Sequence, residues 1–160
     1  MEYTIMSKKQ TKKNNILGKK RHCVYELTFH AVLVVKYRKK CITKEIGQYL
    51  IERSKIVIEK NGGHLIEGNS DIDHIHLLMS LQPDINLSNF MGSLKNTTSR
   101  MVRKEYNEYL NKYLWGKSFW SESYYLGTTG GASLDVIQKY IEDQGKPKRK
   151  YSKRIIPASS

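Results

Sequence analysis

The sequence predicts an α+β domain: an antiparallel sheet with helices on one face, its elements in the order β-α-β-β-α-β-α. Three observations predict it. Residues 74–81 alternate, with Ile75, Leu77, Met79 and Leu81 on one side and His74, His76, Leu78 and Ser80 on the other, the period-two pattern of a half-buried strand. Residues 43–60 and 87–110 instead place their apolar residues at helical spacing. Turn residues punctuate the chain between these segments, which gives a split βαβ arrangement of the ferredoxin- or RRM-like kind with one helix added at the C-terminal end.

Each element has its own signal. Residues 23–40 are rich in Val, Leu and aromatics and read as the first strand. Cys23, Tyr25, Leu27, Phe29, Ala31 and Leu33 fall on one face, and Lys36, Arg38, Lys39 and Lys40 gather around Tyr37 at its end. Thr43 is a suitable N-cap for the first helix, Ile46, Leu50, Ile51, Val57 and Ile58 form its apolar stripe, and Asn61-Gly62-Gly63 stops it. Residues 63–69 form a short second strand. A turn over 70–73 pairs it as a hairpin with the third strand, which Pro83 and Asp84 end. The helix over 87–110 buries Leu87, Phe90, Met91, Leu94, Met101 and Val102. Aromatics and threonines over 118–129 suggest the fourth strand, broken by Gly130-Gly131. Ser133 caps a last helix over 133–144, with Asp135 placed favourably in its first turn.

The 160 residues suffice for one domain, expected over 22–146 and flanked by basic tails at 1–21 and 147–160. The net charge of +13 is concentrated at the ends. Seven basic residues and Glu2 give +6 over 1–21, six basic residues and no acid give +6 over 146–160, and the remainder carries +1. Such tails point to phosphate-bearing partners and favour nucleic acid over a membrane surface. Two cysteines, Cys23 and Cys41, make neither a disulfide framework nor a zinc knuckle. No apolar run approaches the roughly 20 residues of a membrane span, and no apolar signal core follows the basic N-terminus. The expected location is the cytoplasm.

His74 and His76 share a strand face, as in half of a metal site. Tyr140 and Gln144, four residues apart, share a helical face: a candidate oxygen nucleophile beside a candidate amide-oxygen ligand. Two imidazoles and one amide oxygen suit Mg²⁺ or Mn²⁺ acting on a phosphodiester, and imidazole donors favour Mn²⁺. Each residue also has a plainer reading. The histidines can be satisfied polar groups, Tyr140 a packing residue and Gln144 a solvated one. Asp71 and Asp73 are candidates for a general base or for closing a turn.

The chain resembles the small single-tyrosine HUH transposases of insertion sequences, the TnpA type, in which HUH denotes His, hydrophobic, His. The resemblance runs from about residue 22 to 147. It is carried by "KYRKK" (36–40), "DHIHLL" (73–78), "SLKNTTSR" (93–100) and, most specifically, "GTTGGASLDVIQKYIEDQ" (127–144). It implies that Tyr140 is the nucleophile and that His74, His76 and Gln144 hold one divalent cation. It further implies a 5′-phosphotyrosine intermediate on single-stranded DNA, recognition of hairpins near the element's ends, a homodimer, and no organic cofactor. Tyr25, Lys36, Arg38, Lys95 and Arg100 are candidate DNA contacts, as cations for phosphates or an aromatic for unpaired bases. Leu33-Val34-Val35 replace the Trp and Pro common before the family's Lys-Tyr-Arg segment, and Asn96 and Thr97 replace a Gly and a basic residue. Two other readings stand beside this one: a non-catalytic single-strand-binding module on the same fold, and a domesticated nickase of host repeats.

Overall fold

A computed structural model describes residues 18–129 and Glu142. The expected last helix over 133–144, except Glu142, and the tails, except residues 18–21, lie outside that description. The elements are β1 (Gly18–Lys20), β2 (Cys23–Tyr25), β3 (Thr28–Val34), α1 (Lys44–Lys60), β4 (His64–Ser70), β5 (His74–Ser80), α2 (Leu87–Glu105), the short α3 (Asn107–Leu110) and β6 (Tyr125–Thr128). Strands β4-β5-β3-β6 form one antiparallel sheet in that order, and β1-β2 form a separate ribbon. This is the expected split βαβ sheet.

The core lies between the sheet and its helices. Ala31, Leu33 and Val35 from the first strand region join Ile75, Leu77, Met79 and Leu81 in one cluster with Ile46, Leu50 and Ile58 of α1 and Phe90, Met91, Leu94 and Val102 of α2. All four apolar alternates of the β5 region are buried, as their period requires. Thr43 caps α1 by accepting from Ile46 N–H at 3.2 Å, and Gly62 ends the helix at φ 77°, a conformation that suits glycine. Gly47 brings α1 close to β4, since a Cβ there would meet the Ser70 hydroxyl.

Four expectations need correction. The first strand does not run unbroken from residue 23. Leu81 N–H donates to the Leu27 carbonyl oxygen at 2.9 Å, and beyond that point β5 offers no further partner. The preceding residues satisfy their backbone by pairing with β1 instead, Tyr25 opposite Gly18. Cys23 and Tyr25 therefore leave the face that carries Ala31 and Leu33. At its other end the strand stops at Val34, and a 3-10 turn over Lys36–Arg38 follows.

The second helix stops at Glu105 rather than at 110. Tyr106 leaves helical geometry (φ −115°, ψ 34°) and sets its ring edge-on to Tyr49 of α1, with centroids 5.4 Å apart. The fourth strand is confined to Tyr125–Thr128. Phe119 and Trp120 are consecutive and both enter the same core cluster, which the alternating faces of one strand do not allow. They plug the core edge-to-face, and Trp120 makes one isolated bridge to Val35.

The Trp120 indole N–H donates to Thr98 Oγ1 at 2.9 Å inside the core, and the Thr98 hydroxyl donates to the Leu94 carbonyl oxygen. Thr98→Val keeps the shape but strands the indole N–H, at a cost of about 1–3 kcal/mol. Urea unfolding of the variant should show that loss of stability; an unchanged midpoint would mean that the indole finds another partner.

Candidate functional site

The face of the sheet opposite the core carries the two histidines. Full register between β3 and β5 sets Val34 opposite His74, Val32 opposite His76 and His30 opposite Leu78. His30 thus shares the face with both ring systems, which strand alternation within 23–40 alone does not reveal. The His74 and His76 Nε2 atoms stand 3.1 Å apart, with ring centroids 4.9 Å apart at a steep angle.

Asp73 fixes this arrangement. The His74 Nδ1–H donates to Asp73 Oδ1 at 2.6 Å, which turns Nε2 toward His76. The other carboxylate oxygen, Oδ2, accepts from Arg38 Nε at 3.1 Å. Burial disfavours the Asp73 carboxylate, but the hydrogen bonds from His74 and Arg38, with their charge, outweigh it and hold its pKa below the usual value. Burial pushes the His76 imidazole down, His74 and His30 add to the effect, and Asp71 opposes it. A depressed pKa keeps His76 neutral near pH 7, the form a metal requires.

The donor chemistry fits a divalent cation. Two imidazole nitrogens about 2.1 Å from one ion and at right angles lie about 3 Å apart. The carboxylate behind His74 is the orienting group that ligating histidines commonly have. Among the described residues there is no cluster of three or more His, Cys, Asp or Glu side chains, so His74 and His76 are the paired donors described here. Gln144 and Tyr140 lie outside the described residues.

The candidate DNA contacts scatter. Arg38 is drawn inward: besides Asp73, its Nη1 donates to the carbonyl oxygen of Glu142 at 3.1 Å. Lys95 Nζ donates to the Glu122 carbonyl oxygen at 2.6 Å and lies 5.4 Å from the Tyr124 ring centroid, with burial lowering its pKa. Lys36 sits in the turn after β3, its Nζ 5.5 Å from the Tyr37 ring centroid. Arg100 is exposed on α2 and lines an open cleft of about 500 Å³ with Arg103, Lys104 and Lys117. Tyr25 is half-buried in the ribbon against Gly18. Asp71 closes the hairpin: its N–H donates to the His74 carbonyl oxygen, and its side chain accepts from Ile72 N–H.

The profile of the IS200-like transposases matches residues 23–144, most of the chain. The chain belongs to that family. The ISDra2 transposase TnpA of Deinococcus radiodurans is 33% identical over 128 residues, covering 80% of this chain and 91% of the relative. The transposase of insertion sequence IS200 from Salmonella typhimurium is 29% identical over 123 residues, covering 77% and 80%. The crystal structure of a candidate transposase from Deinococcus radiodurans R1 superposes with a TM-score of 0.73 at 28% identity, covering 79% of this chain and 97% of that one. The IS200-like transposase therefore acts on DNA, by cleavage and strand transfer.

Replacing Asp73 with Ala removes the acceptor for His74 Nδ1–H. The imidazole ¹⁵N shifts of His74 in the metal-free transposase should then move toward the Nε2–H tautomer. Unchanged shifts would show that Asp73 does not set the tautomer.

Proposed function

We propose that this transposase cleaves and rejoins single-stranded DNA at the ends of an insertion sequence through a covalent link to Tyr140, with His74, His76 and Gln144 holding a divalent cation. The observation that carries the reading is the pair of Nε2 atoms at 3.1 Å, one of them oriented from behind by Asp73.

The Tyr140 phenolic oxygen attacks the scissile phosphorus. The bond from phosphorus to the 3′ oxygen breaks, the phenol gives up its proton, and the departing strand takes one to end as a 3′-hydroxyl. The product on the protein is a 5′-phosphotyrosine. Attack by a 3′-hydroxyl on that linkage restores the phosphodiester and returns the phenol, so the number of phosphoester bonds is conserved and no ATP is consumed. The cation, Mg²⁺ or Mn²⁺, when bound supplies Lewis-acid polarisation of the phosphate. Lys36, in the turn after β3, would neutralise a phosphate near the histidines; Arg100, on the helix layer that covers the other face of the sheet, would meet DNA away from them, and Arg38 and Lys95 serve first as internal struts.

Hairpins at the element's ends as the recognised DNA, a homodimer, and residence in the cytoplasm complete the reading. Among the described residues no helix is long and apolar enough to cross a membrane.

Labelled single-stranded DNA from the ends of the encoding element tests the chemistry. Wild type with Mg²⁺ or Mn²⁺ should form a denaturation-resistant protein–DNA adduct that chelator, Tyr140→Phe or His74→Ala abolishes. An adduct surviving Tyr140→Phe would assign the nucleophile elsewhere, and tight binding without any adduct would make the protein a binding module. Independently of DNA, calorimetric titration with Mn²⁺ should show Asp73→Ala binding the ion roughly 10–100-fold more weakly than wild type.

A further inference from the structure

The turn after β3 holds two consecutive non-glycine residues in the left-handed region, Tyr37 at φ 58° and Arg38 at φ 50°. Side chains other than glycine crowd the backbone there, and the conformation persists only where its surroundings impose it. Three backbone bonds impose it here. Val35 N–H donates to the Asp73 carbonyl oxygen at 2.8 Å, Lys36 N–H to that of Phe119 at 2.9 Å, and Arg38 N–H to that of Val35 at 2.8 Å.

The strain at Arg38 has a visible use, because the turn delivers its guanidinium to Asp73. The Tyr37 backbone completes the same turn, since the Arg38 N–H reaches the Val35 carbonyl oxygen across it, but the Tyr37 ring takes no part in the core. Its residue is 75% exposed, and the Lys36 ammonium 5.5 Å from its ring centroid stands ready for an anion. Val24, Ile56, Ile72 and Trp115 are also exposed, yet none of them has a positive φ. An exposed aromatic ring on a turn fixed by these bonds, next in sequence to the arginine that grips the carboxylate behind His74, is available to a substrate at that site rather than to the core.

We propose that Tyr37 is a stacking platform for an unpaired nucleobase beside the His74–His76 site, with the Lys36 ammonium on the adjoining phosphate. This rests on the reading of single-stranded DNA as substrate. An aromatic face accepts any base whose own face is free, while bases inside a duplex are already stacked on their neighbours. The platform thus favours single strands without reading sequence, and it sets where along the strand a phosphate can reach the histidines.

The test uses the full chain, a fluorescein-labelled oligothymidylate, and the same strand annealed to oligoadenylate, with chelator present so that cleavage plays no part. Tyr37→Ala should weaken single-strand binding about 10-fold, the equivalent of about 1.4 kcal/mol. Tyr37→Trp should stay within about twofold of wild type, and duplex binding should not change. Tyr37→Gly should lose single-strand affinity as Ala does but melt no lower than wild type, because glycine occupies this backbone region freely. Single-strand affinity unchanged in Tyr37→Ala, or a lower melting temperature in Tyr37→Gly, overturns the proposal. A wild type that binds the strand but forms no adduct with element-end DNA would sink the catalytic reading while leaving this comparison decisive for Tyr37. A wild type that does not bind the strand overturns both.

Discussion

The architecture turns on the register between β3 and β5, seven consecutive partners from Thr28–Ser80 to Val34–His74. Strand side chains alternate with period two, so a slip of one residue would carry Ile75, Leu77 and Met79 out of the core and swing His74 and His76 into it. The hydrophobic cost of that slip fixes the register, and the register fixes the site. Both histidines lie on a strand hydrogen-bonded on either side, β4 on one edge and β3 on the other. Their spacing is therefore set by a rigid backbone, the kind of support that a site needing sub-ångström placement requires.

Asp73 joins that frame to its electrostatics. A buried carboxylate is costly unless its oxygens find partners. One oxygen takes the His74 N–H and the other the Arg38 guanidinium. Its backbone carbonyl oxygen meanwhile accepts from Val35 N–H, and the Ile72 carbonyl oxygen accepts from Ile42 N–H. The same short segment thus pins the start of β5 to the end of β3, orients an imidazole, and draws the strained turn at Tyr37 and Arg38 into place. Backbone and side-chain demands agree at this one residue.

Much of this was legible because it is local. The alternation of 74–81, the Thr43 cap, the Asn61-Gly62-Gly63 stop and the helix stripes are decided by neighbours in sequence, and the paired histidines follow from alternation alone. What was not legible depends on partners far away in the chain. The strand around 23–34 breaks where β5 runs out. The helix at Tyr106 breaks against Tyr49, and Phe119 and Trp120 abandon alternation to fill the core. Arg38 and Lys95 read as free cations because a sequence does not show the Asp73 carboxylate or the Glu122 carbonyl that engage them. Asp73 read as a general-base candidate or a turn residue and not as the group that orients His74, since its bond to Arg38 spans 35 positions. Tyr37 gave no sign of a left-handed backbone, because the residues that usually announce one are glycine and asparagine.

The bond from Arg38 to residue 142 has an asymmetric genetic consequence. Its acceptor is a backbone carbonyl oxygen, which every amino acid possesses, so the contact places no demand on which side chain position 142 encodes. Its donor is a guanidinium that also serves Asp73, a geometry lysine does not reproduce. One end of the link is thus invisible to mutation and the other is exposed to it. A lineage can drift freely at 142 and carry the contact forward unchanged, with the whole informational burden resting on the arginine codon.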